Sequence, residues 1–135
     1  MNEFVWPVRV YYEDTDAGGF VYYANYLKFL ERARTEFLRS LGHEQDHLAN
    51  VHNIRFIVCK VTIEYIKPAY FNELLSVSAK IAGIRKASLL FQQVIHNQKH
   101  EQICQAEIKI ACIDKSTLKP VTIPQFIISE LDHVN

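Results

Sequence analysis

The stretch that decides the fold is Arg9-Val10-Tyr11-Tyr12-Glu13-Asp14-Thr15-Asp16-Ala17-Gly18-Gly19-Phe20-Val21-Tyr22-Tyr23-Ala24-Asn25-Tyr26. It is typical of a strand, a tight acidic loop with two glycines, and the start of a helix. Gly18 and Gly19 allow the backbone to turn sharply and to approach a ligand without a Cβ in the way. A helix that begins near Tyr23 would direct free N–H groups and a partial positive charge into the same space. Because an acid beside a helix N-terminus can supply both a base and an electrophile, this stretch is the candidate active site.

The two acids of the loop, Asp14 and Asp16, are two residues apart. In an extended segment this spacing puts both side chains on one side. A carboxylate at a glycine-flanked turn can act as a general base on water or as a nucleophile toward an acyl carbon. Asp is also common in turns for its hydrogen bonds alone, so this alternative stays open. The backbone N–H groups of residues 22–24 can bind a developing oxyanion, or can simply be hydrated as at other helix starts.

The residue pattern predicts an α+β fold with one long helix on a curved antiparallel sheet. A first strand is predicted over residues 5–13, and the helix over residues 23–41 with Leu41-Gly42 as its stop. Residues 44–53 are polar and predict a loop. Further strands are predicted within residues 56–66, 75–83, 89–95 and 104–112, and a short helix from Pro124 to Leu131. Short links such as the hairpin at residues 97–100 favour antiparallel pairing.

Periodicity also predicts which side chains are buried. The apolar stripe of the helix is predicted to contain Tyr26, Leu30, Ala33, Phe37 and Leu41, widened by Leu27 and Leu38. On its polar side, Arg32 and Glu36 are four residues apart, a spacing that allows them to pair. In the strand at residues 56–66, alternation predicts one face formed by Ile57, Cys59, Val61, Ile63 and Tyr65.

The composition predicts one globular domain over residues 1–135. Lys and Arg together number 15, as do Asp and Glu, so the net charge of zero favours neither nucleic acid nor a membrane surface as a partner. The start of the chain lacks the pattern of a secretory signal, and no apolar stretch is long enough to span a membrane. Cys59, Cys104 and Cys112 have no metal or redox spacing and are predicted to be free thiols, which indicates a cytoplasmic protein.

Two other clusters of polar residues have chemical potential. His43 and His47 are four apart and His52 follows, but no recognised zinc spacing is present, so a solvated loop without metal is expected. The sequence Arg85-Lys86, with Ser88 close behind, can bind the phosphate groups of a ligand or can be a solvated turn. No phosphate-binding loop, Ser/His/Asp arrangement or dinucleotide motif is present, so no bound cofactor is expected.

The stretch from Tyr12 to Tyr26, continued by Phe29-Leu30-Glu31-Arg32-Ala33-Arg34, closely resembles the hotdog-fold acyl-CoA thioesterases. Within these it is similar to the YbgC type, bacterial thioesterases that are associated with the Tol–Pal system and related to 4-hydroxybenzoyl-CoA thioesterase. The resemblance covers nearly the whole chain and continues through Glu64-Tyr65, Pro68-Ala69, Ser88-Leu89, Lys119-Pro120 and Ile123-Pro124.

The resemblance implies a fold, an assembly and a set of site residues. The fold is the hotdog fold, in which an antiparallel sheet wraps around one long helix. Two units join their sheets edge to edge, often within tetramers, and the active sites lie between subunits. Asp16, the second acid of the loop, is implied as base or nucleophile, Gly19 as the loop glycine, and the backbone N–H of Tyr23 as oxyanion donor. The implied substrate-binding residues are Asn25, Tyr26, Arg85, Lys86 and Ser88.

One position departs from the resemblance. Proteins of the YbgC type commonly carry His where this chain has Tyr23, whereas the hydroxybenzoyl branch has Tyr. A backbone role is preserved by the change, and a side-chain role of that His is not.

The sequence therefore predicts an acyl-CoA thioesterase that uses neither a metal nor an organic cofactor. A hotdog dehydratase is disfavoured because it would need a His and an acid on the helix, which offers Glu31 and Glu36 but no His. A second alternative is a module of envelope-lipid metabolism that binds acyl thioesters or acyl carrier protein and hydrolyses them only incidentally. The third is a purely structural interaction protein.

Overall fold

A five-stranded antiparallel sheet in the order β1-β3-β4-β5-β2 is the frame of the molecule. The computed structural model describes the backbone of residues 3–134 and the side chains of residues 3–131, so Met1, Asn2 and Asn135 lie outside the described residues. The strands are β1 (Phe4–Arg9), β2 (Ile54–Tyr65), β3 (Leu74–Ile84), β4 (Ser88–His96) and β5 (Gln102–Asp114). The helices are α1 (Asn25–Ser40), α2 (Gln45–Val51) and α3 (Gln125–Val134).

The long helix α1 packs on one face of the sheet, as predicted. Of its predicted stripe, Tyr26, Leu30, Ala33 and Phe37 are buried and Leu41 is half-buried, while Leu38 and Phe29 are buried beside them. Two details of the prediction were wrong. Leu27 is exposed, and Glu36 pairs with Arg39 at 2.6 Å while Arg32 lies over the ring of Phe29. The confirmed burial of the stripe fixes the position of the helix start, and with it the candidate active site.

The central strands bury the residues that alternation predicts. Leu75, Val77, Ala79 and Ile81 of β3 are buried, as are Cys104, Ala106, Ile108, Ile110 and Cys112 of β5. In β4 the prediction omitted Gln93, which is buried together with Leu89, Phe91 and Ile95, whereas Val94 is only half-buried. The buried apolar residues of these three strands belong to one core between α1 and the sheet.

Strand β2 departs from the predicted alternation because of a β-bulge. The register shifts between Val58 and Lys60, and residues that face each other across antiparallel strands lie on the same face of the sheet. Val58 faces Ile110 and Val61 faces Ile108, so both lie on the helix side, whereas Ile57 faces Ala111 on the other side. The extra residue at Cys59 therefore places Ile57 and Val61 on opposite faces.

Two segment boundaries also differ from the prediction. The first strand ends at Arg9 because Tyr12–Asp14 forms a 3-10 turn in place of extended chain. Residues 44–53, predicted as a loop, contain α2, which buries Leu48 and Ala49 and packs against β2. A segment with few apolar residues becomes helical here because tertiary contact outweighs weak local propensity. The short C-terminal helix is confirmed as α3, and Ile127 and Leu131 anchor it in the core.

The sheet has two edges of unlike character. β2 forms one edge over 12 residues, and exposed apolar side chains lie along it at Ile57, Val58, Val61 and Tyr65. β1 forms the other edge with only 6 residues, one of which is Pro7. A long apolar edge with unpaired backbone groups is a template for another strand, whereas a short edge that contains Pro is not.

Candidate active site

The two acids of the loop have different environments, contrary to the prediction that they lie on one side. Asp14 is buried, and its carboxylate accepts a hydrogen bond from the backbone N–H of Tyr11 at 2.8 Å. The Asp14 carbonyl accepts two more, from the N–H of Tyr22 and the side-chain amide of Asn25, both at 2.9 Å. Asp14 and Asn25 therefore join the loop to the start of α1, and the 3-10 turn directs the two carboxylates differently.

Asp16 is exposed at the tip of a closed loop. Its N–H donates to the Phe20 carbonyl at 2.9 Å, and the N–H of Gly19 donates to the Asp16 carbonyl at 3.0 Å. Gly19 has a φ of 83°, a left-handed conformation that favours glycine. The Oδ1 atom of Asp16 accepts the N–H of Gly18 at 2.9 Å, and no described residue bonds to Oδ2. One carboxylate oxygen is thus oriented while the other is open to a reactant.

The helix start offers an uncommitted donor close to this loop. The N–H of Asn25 donates to the Tyr22 carbonyl at 2.8 Å, and the Tyr65 hydroxyl donates to the Tyr23 carbonyl at 3.2 Å. Within the described part of the chain, no acceptor is bonded to the N–H of Tyr23. The peptide before α1 is therefore held in place while its N–H stays free, which is the property that an oxyanion donor needs.

Tyr26 has a role in the fold itself. It is buried, and its hydroxyl accepts the N–H of Ala69 at 3.0 Å, while the Ala69 carbonyl accepts the N–H of Val21 at 2.9 Å. Burial raises the pKa of Tyr26, so the phenol is neutral over the physiological range. Tyr26 thereby connects α1 to the loop, and a direct contact with substrate stays a prediction.

Exposed aromatic rings surround the loop and the helix start. The Tyr23 ring lies 5.0 Å from that of Tyr22 and 6.1 Å from that of Tyr65, and Phe20 lies 5.3 Å from Tyr70, as centroid distances. Each of these five side chains is at least 40% exposed. Sequence reasoning missed Tyr65 and Tyr70 as neighbours of the site, because only the folded chain brings the end of β2 next to the loop.

The basic turn lies far from Asp16 within one chain. Arg85 and Ser88 line a groove of about 840 Å³ together with Lys60 and Lys109, whereas Lys86 is not part of its lining. The Asp16 loop is hydrogen-bonded to the chain just before β3, and Arg85 comes directly after β3. The 11 residues of β3 therefore separate the loop from Arg85 by roughly 30 Å. A single chain therefore does not bring the predicted phosphate-binding residues to the candidate catalytic acid.

A buried polar pair was missed by sequence reasoning. Arg34 of α1 donates to the side-chain oxygen of Gln93 at 2.9 Å, and the Gln93 amide donates to the carbonyls of Leu30 and Ser78, both at 3.0 Å. The spacing of Arg34 within the helix stripe was a usable signal, because it falls next to Ala33 and one turn from Phe37 and Leu38. Nothing in the pattern of β4 marks Gln93.

The histidines form an aromatic cluster against α3. The ring of His52 lies 4.7 Å from that of Phe126, and His43 lies 5.6 Å from the same ring. His43 is 8% exposed, and its Nε2 atom has no hydrogen-bond partner. Within the described residues no group of three His, Cys, Asp or Glu side chains is arranged to hold a metal ion.

Comparison with known proteins agrees with this geometry. A family model described as the thioesterase-like superfamily matches residues 10–131. The chain belongs to this superfamily of hotdog-fold thioesterases and is a thioester hydrolase. A solved probable thioesterase from Bartonella henselae superposes with a TM-score of 0.86 at 33% identity, covering 91% of this chain and 100% of the other.

Within the superfamily, the chain belongs with the YbgC acyl-CoA thioesterases. It is 44% identical over 127 residues to the acyl-CoA thioester hydrolase YbgC of Escherichia coli O6:H1, covering 94% of each chain. It is 41% identical over 133 residues to the acyl-CoA thioesterase YbgC of Haemophilus influenzae, covering 98% of this chain and 97% of the other. The predicted family and fold are thus confirmed, while the roles of individual site residues stay predictions.

Proposed function

We propose that the chain hydrolyses acyl-CoA to a free acid and CoA, with the Asp16 carboxylate as the catalytic base or nucleophile. The observation that carries this proposal is that one loop and the helix start after it combine an exposed Asp16 carboxylate, fixed through one oxygen by the Gly18 N–H, with the free N–H of Tyr23. This arrangement supplies the two elements that acyl transfer needs, a base or nucleophile and a preorganised oxyanion donor. The exposed rings of Tyr22, Tyr23 and Tyr65 provide apolar surface for the acyl group.

The proposed reaction begins when the thioester carbonyl oxygen accepts the Tyr23 N–H. The free oxygen of Asp16 then either removes a proton from an attacking water or attacks the carbonyl carbon itself. Negative charge that develops on the carbonyl oxygen is stabilised by the N–H and the positive end of α1. The acyl–sulfur bond breaks, the CoA thiolate leaves, and in the nucleophilic route water hydrolyses the acyl–Asp16 anhydride.

The test is thiol release from a panel of short, long and aromatic acyl-CoAs. Asp16→Asn keeps the size of the side chain and its bond to Gly18, so we expect a folded protein whose kcat is lowered by at least about 100-fold. Glu13→Gln is the matched control, because Glu13 is an exposed acid of the same loop, and it should keep full activity. An Asp16→Asn variant as active as Glu13→Gln would contradict the proposed mechanism.

We further propose that CoA is bound between two copies of the chain joined at the β2 edge. The roughly 30 Å between Asp16 and Arg85 supports this, because antiparallel pairing through β2 brings the Arg85 end of one copy toward the Asp16 end of the other. The cationic groove of Lys60, Arg85 and Lys109 suits the CoA phosphates, with Ser88 as a hydroxyl donor. A tetramer of such units is proposed from the family resemblance.

Acyl carrier protein is the alternative thiol partner, since its acyl group is carried on a phosphopantetheine arm. Comparing acyl-CoA with the same acyl group on acyl carrier protein would rank the two by kcat/KM. A higher kcat/KM for acyl-CoA supports the proposal, and the reverse order would replace CoA by the carrier protein.

The remaining parts of the proposal concern the whole chain. We propose one domain over residues 1–135, located in the cytoplasm and associated with the Tol–Pal system as in the family it resembles. The free thiols of Cys59, Cys104 and Cys112 support a reducing compartment. Among residues 3–134, no helix combines the length and the apolar character that a membrane span requires.

A further inference from the structure

Arg34 is a buried cation that forms no ion pair among the described residues of its own chain. The side chain is 7% exposed, yet its hydrogen-bonding partner, Gln93, is neutral. Among the described residues no carboxylate lies within the 4.0 Å of an ion pair with Arg34. Burial lowers the pKa of Arg34 to about 10, and the charge of Glu31, three residues earlier on the same helix, opposes this shift. A guanidinium has five N–H donors and removing it from water is costly, so a second, charged acceptor is expected.

The space beside Arg34 opens toward the β2 edge. Arg34 lines a cavity of about 440 Å³ between α1 and β2, together with Glu31, Leu38, Phe56, Val58 and Ile110. The only fully buried side-chain N or O atom without a partner in residues 3–131 is Nε2 of His43. The nitrogens of Arg34 that have no hydrogen-bond partner are therefore not fully buried, and an acceptor can reach them through the cavity.

The helix-side face of β2 lacks the cover that its neighbour has. Val58 and Val61 are 45% and 38% exposed, whereas Ile110 and Ile108, which face them on β5, are 5% and 1% exposed. Apolar side chains on the core side of a sheet are normally buried, and an exposed apolar face of this kind is typical of an interaction surface.

We propose that a second copy of this chain covers this face and that Glu31 of the partner subunit forms an ion pair with Arg34. The inference rests on the edge-to-edge assembly proposed above. α1 spans residues 25–40, so its midpoint falls between Arg32 and Ala33. When two such helices lie antiparallel about a two-fold axis near that midpoint, residue 31 of each lies opposite residue 34 of the other. The surface is thus self-complementary, because each copy presents one acid and one base to the same pair on the other copy.

The position of the proposed two-fold axis also agrees with the centre of β2. The midpoint of β2 falls at the bulge between Val58 and Lys60, next to the cavity residues Phe56 and Val58. One axis can therefore pass near the centre of both β2 and α1. Glu31 is exposed and forms no ion pair within the described chain, so it is available to the partner.

The test measures the dissociation constant of the dimer by sedimentation of labelled protein at decreasing concentration. Glu31→Gln removes the carboxylate from an exposed position and should raise this constant by at least about 30-fold, because it leaves both Arg34 side chains buried and unpaired. Glu36→Gln is the matched control, an acid on the same helix that pairs with Arg39 of its own chain, and should leave the constant unchanged.

A charge exchange separates an ion pair between chains from a merely structural role of Arg34. Glu31→Arg and Arg34→Glu should each lose self-association, because like charges then meet at both positions. Mixed together they should form a heterodimer, since one chain supplies only Arg and the other only Glu. Should Arg34→Glu fail to fold, the comparison of Glu31→Gln with Glu36→Gln decides the question.

The outcomes distinguish this inference from the proposals on which it rests. A dimer of the wild-type chain with equal dissociation constants for Glu31→Gln and Glu36→Gln would overturn the ion pair alone. A wild-type chain that is monomeric at tens of micromolar concentration would overturn the edge-to-edge assembly and the ion pair together. Neither result touches the role of Asp16, which the thiol-release assay tests separately.

Discussion

At the scale of single residues, the two similar acids of the loop have different environments and different roles. Asp14 is buried and its hydrogen bonds hold the loop against α1, while Asp16 is exposed and keeps one oxygen free. The sequence indicates that the loop is important and, by resemblance, which acid reacts. It does not reveal that Asp14 is structural, because that depends on a 3-10 turn whose residues carry no turn motif of their own.

Substitution of Gly18 tests how closely the position of the Asp16 carboxylate is controlled. A Cβ at residue 18 would lie 3.2 Å from the Asp16 Oδ1 atom and 3.3 Å from the Phe20 ring, so Gly18→Ala should displace the carboxylate. We expect kcat to fall on the order of 10- to 100-fold, because small displacements of a catalytic group are costly. The free energy of unfolding should change by less than about 1 kcal/mol, because this exposed loop can adjust. Both quantities can be measured on the same preparation.

Gly42→Ala is the opposite case and serves as the control for Gly18→Ala. Gly42 has a φ of 89° and open space around it, so an added Cβ meets no neighbour but strains the backbone. This variant should lose about 1 kcal/mol of stability and keep its kcat. Full activity of Gly18→Ala would show that the carboxylate position is not set by the glycine.

At the scale of elements, the docking of α3 should respond to acid. His43 is buried against Phe126 of α3 without a partner for Nε2, and burial lowers its pKa. Glu130 of α3 opposes this pKa shift, and His52 adds to it. Because the unfolded chain binds the proton more readily, stability is full above pH 6.5 and is lost as the pH falls from 6.5 through the lowered pKa of His43 in the folded state.

His43→Phe should remove this loss, since it keeps an aromatic ring against Phe126 and cannot be protonated. The measurement is urea unfolding at pH 7.5 and 5.5, with His47→Gln as control because His47 is exposed. We expect His47→Gln to lose stability on acidification as the wild type does. The explanation fails when His43→Phe loses as much as the wild type between the two pH values.

Elements also show where sequence reasoning reaches its limit. The α1 stripe and the alternation in β3 and β5 were predictable because each buries one regular face. The helix α2 was not, since Leu48 and Ala49 are its only buried residues and seven residues form a weak helix alone. The bulge at Cys59 was not predictable either, because the sequence of one strand does not show where its register with the neighbouring strand shifts.

At the scale of the whole molecule, the separation of Asp16 and Arg85 makes a prediction about mixed assemblies. In an active site built from two copies, a heterodimer of Asp16→Asn and Arg85→Ala contains one site with both wild-type residues. Random mixing should therefore restore about a quarter of wild-type activity above the residual activity of each variant. The assay is thiol release after the two variants are mixed under conditions that allow exchange of subunits.

The control replaces Arg85→Ala by the double variant Asp16→Asn/Arg85→Ala. Mixed with Asp16→Asn, it offers no wild-type Asp16 and should restore nothing. Restoration in the first mixture alone supports a shared site, whereas an equal lack of activity in both mixtures would place each site within one chain.

The difference between the two edges also has a consequence for extension of the sheet by further strands. An assembly that adds strands at both edges can lengthen without end, as in a fibre. Here β1 has half the residues of β2, and Pro7 has no N–H to offer a further strand. Whatever pairs with β2 therefore completes the sheet and leaves only a poor surface for extension, so β-strand addition in this protein ends after one step and polymerisation is avoided.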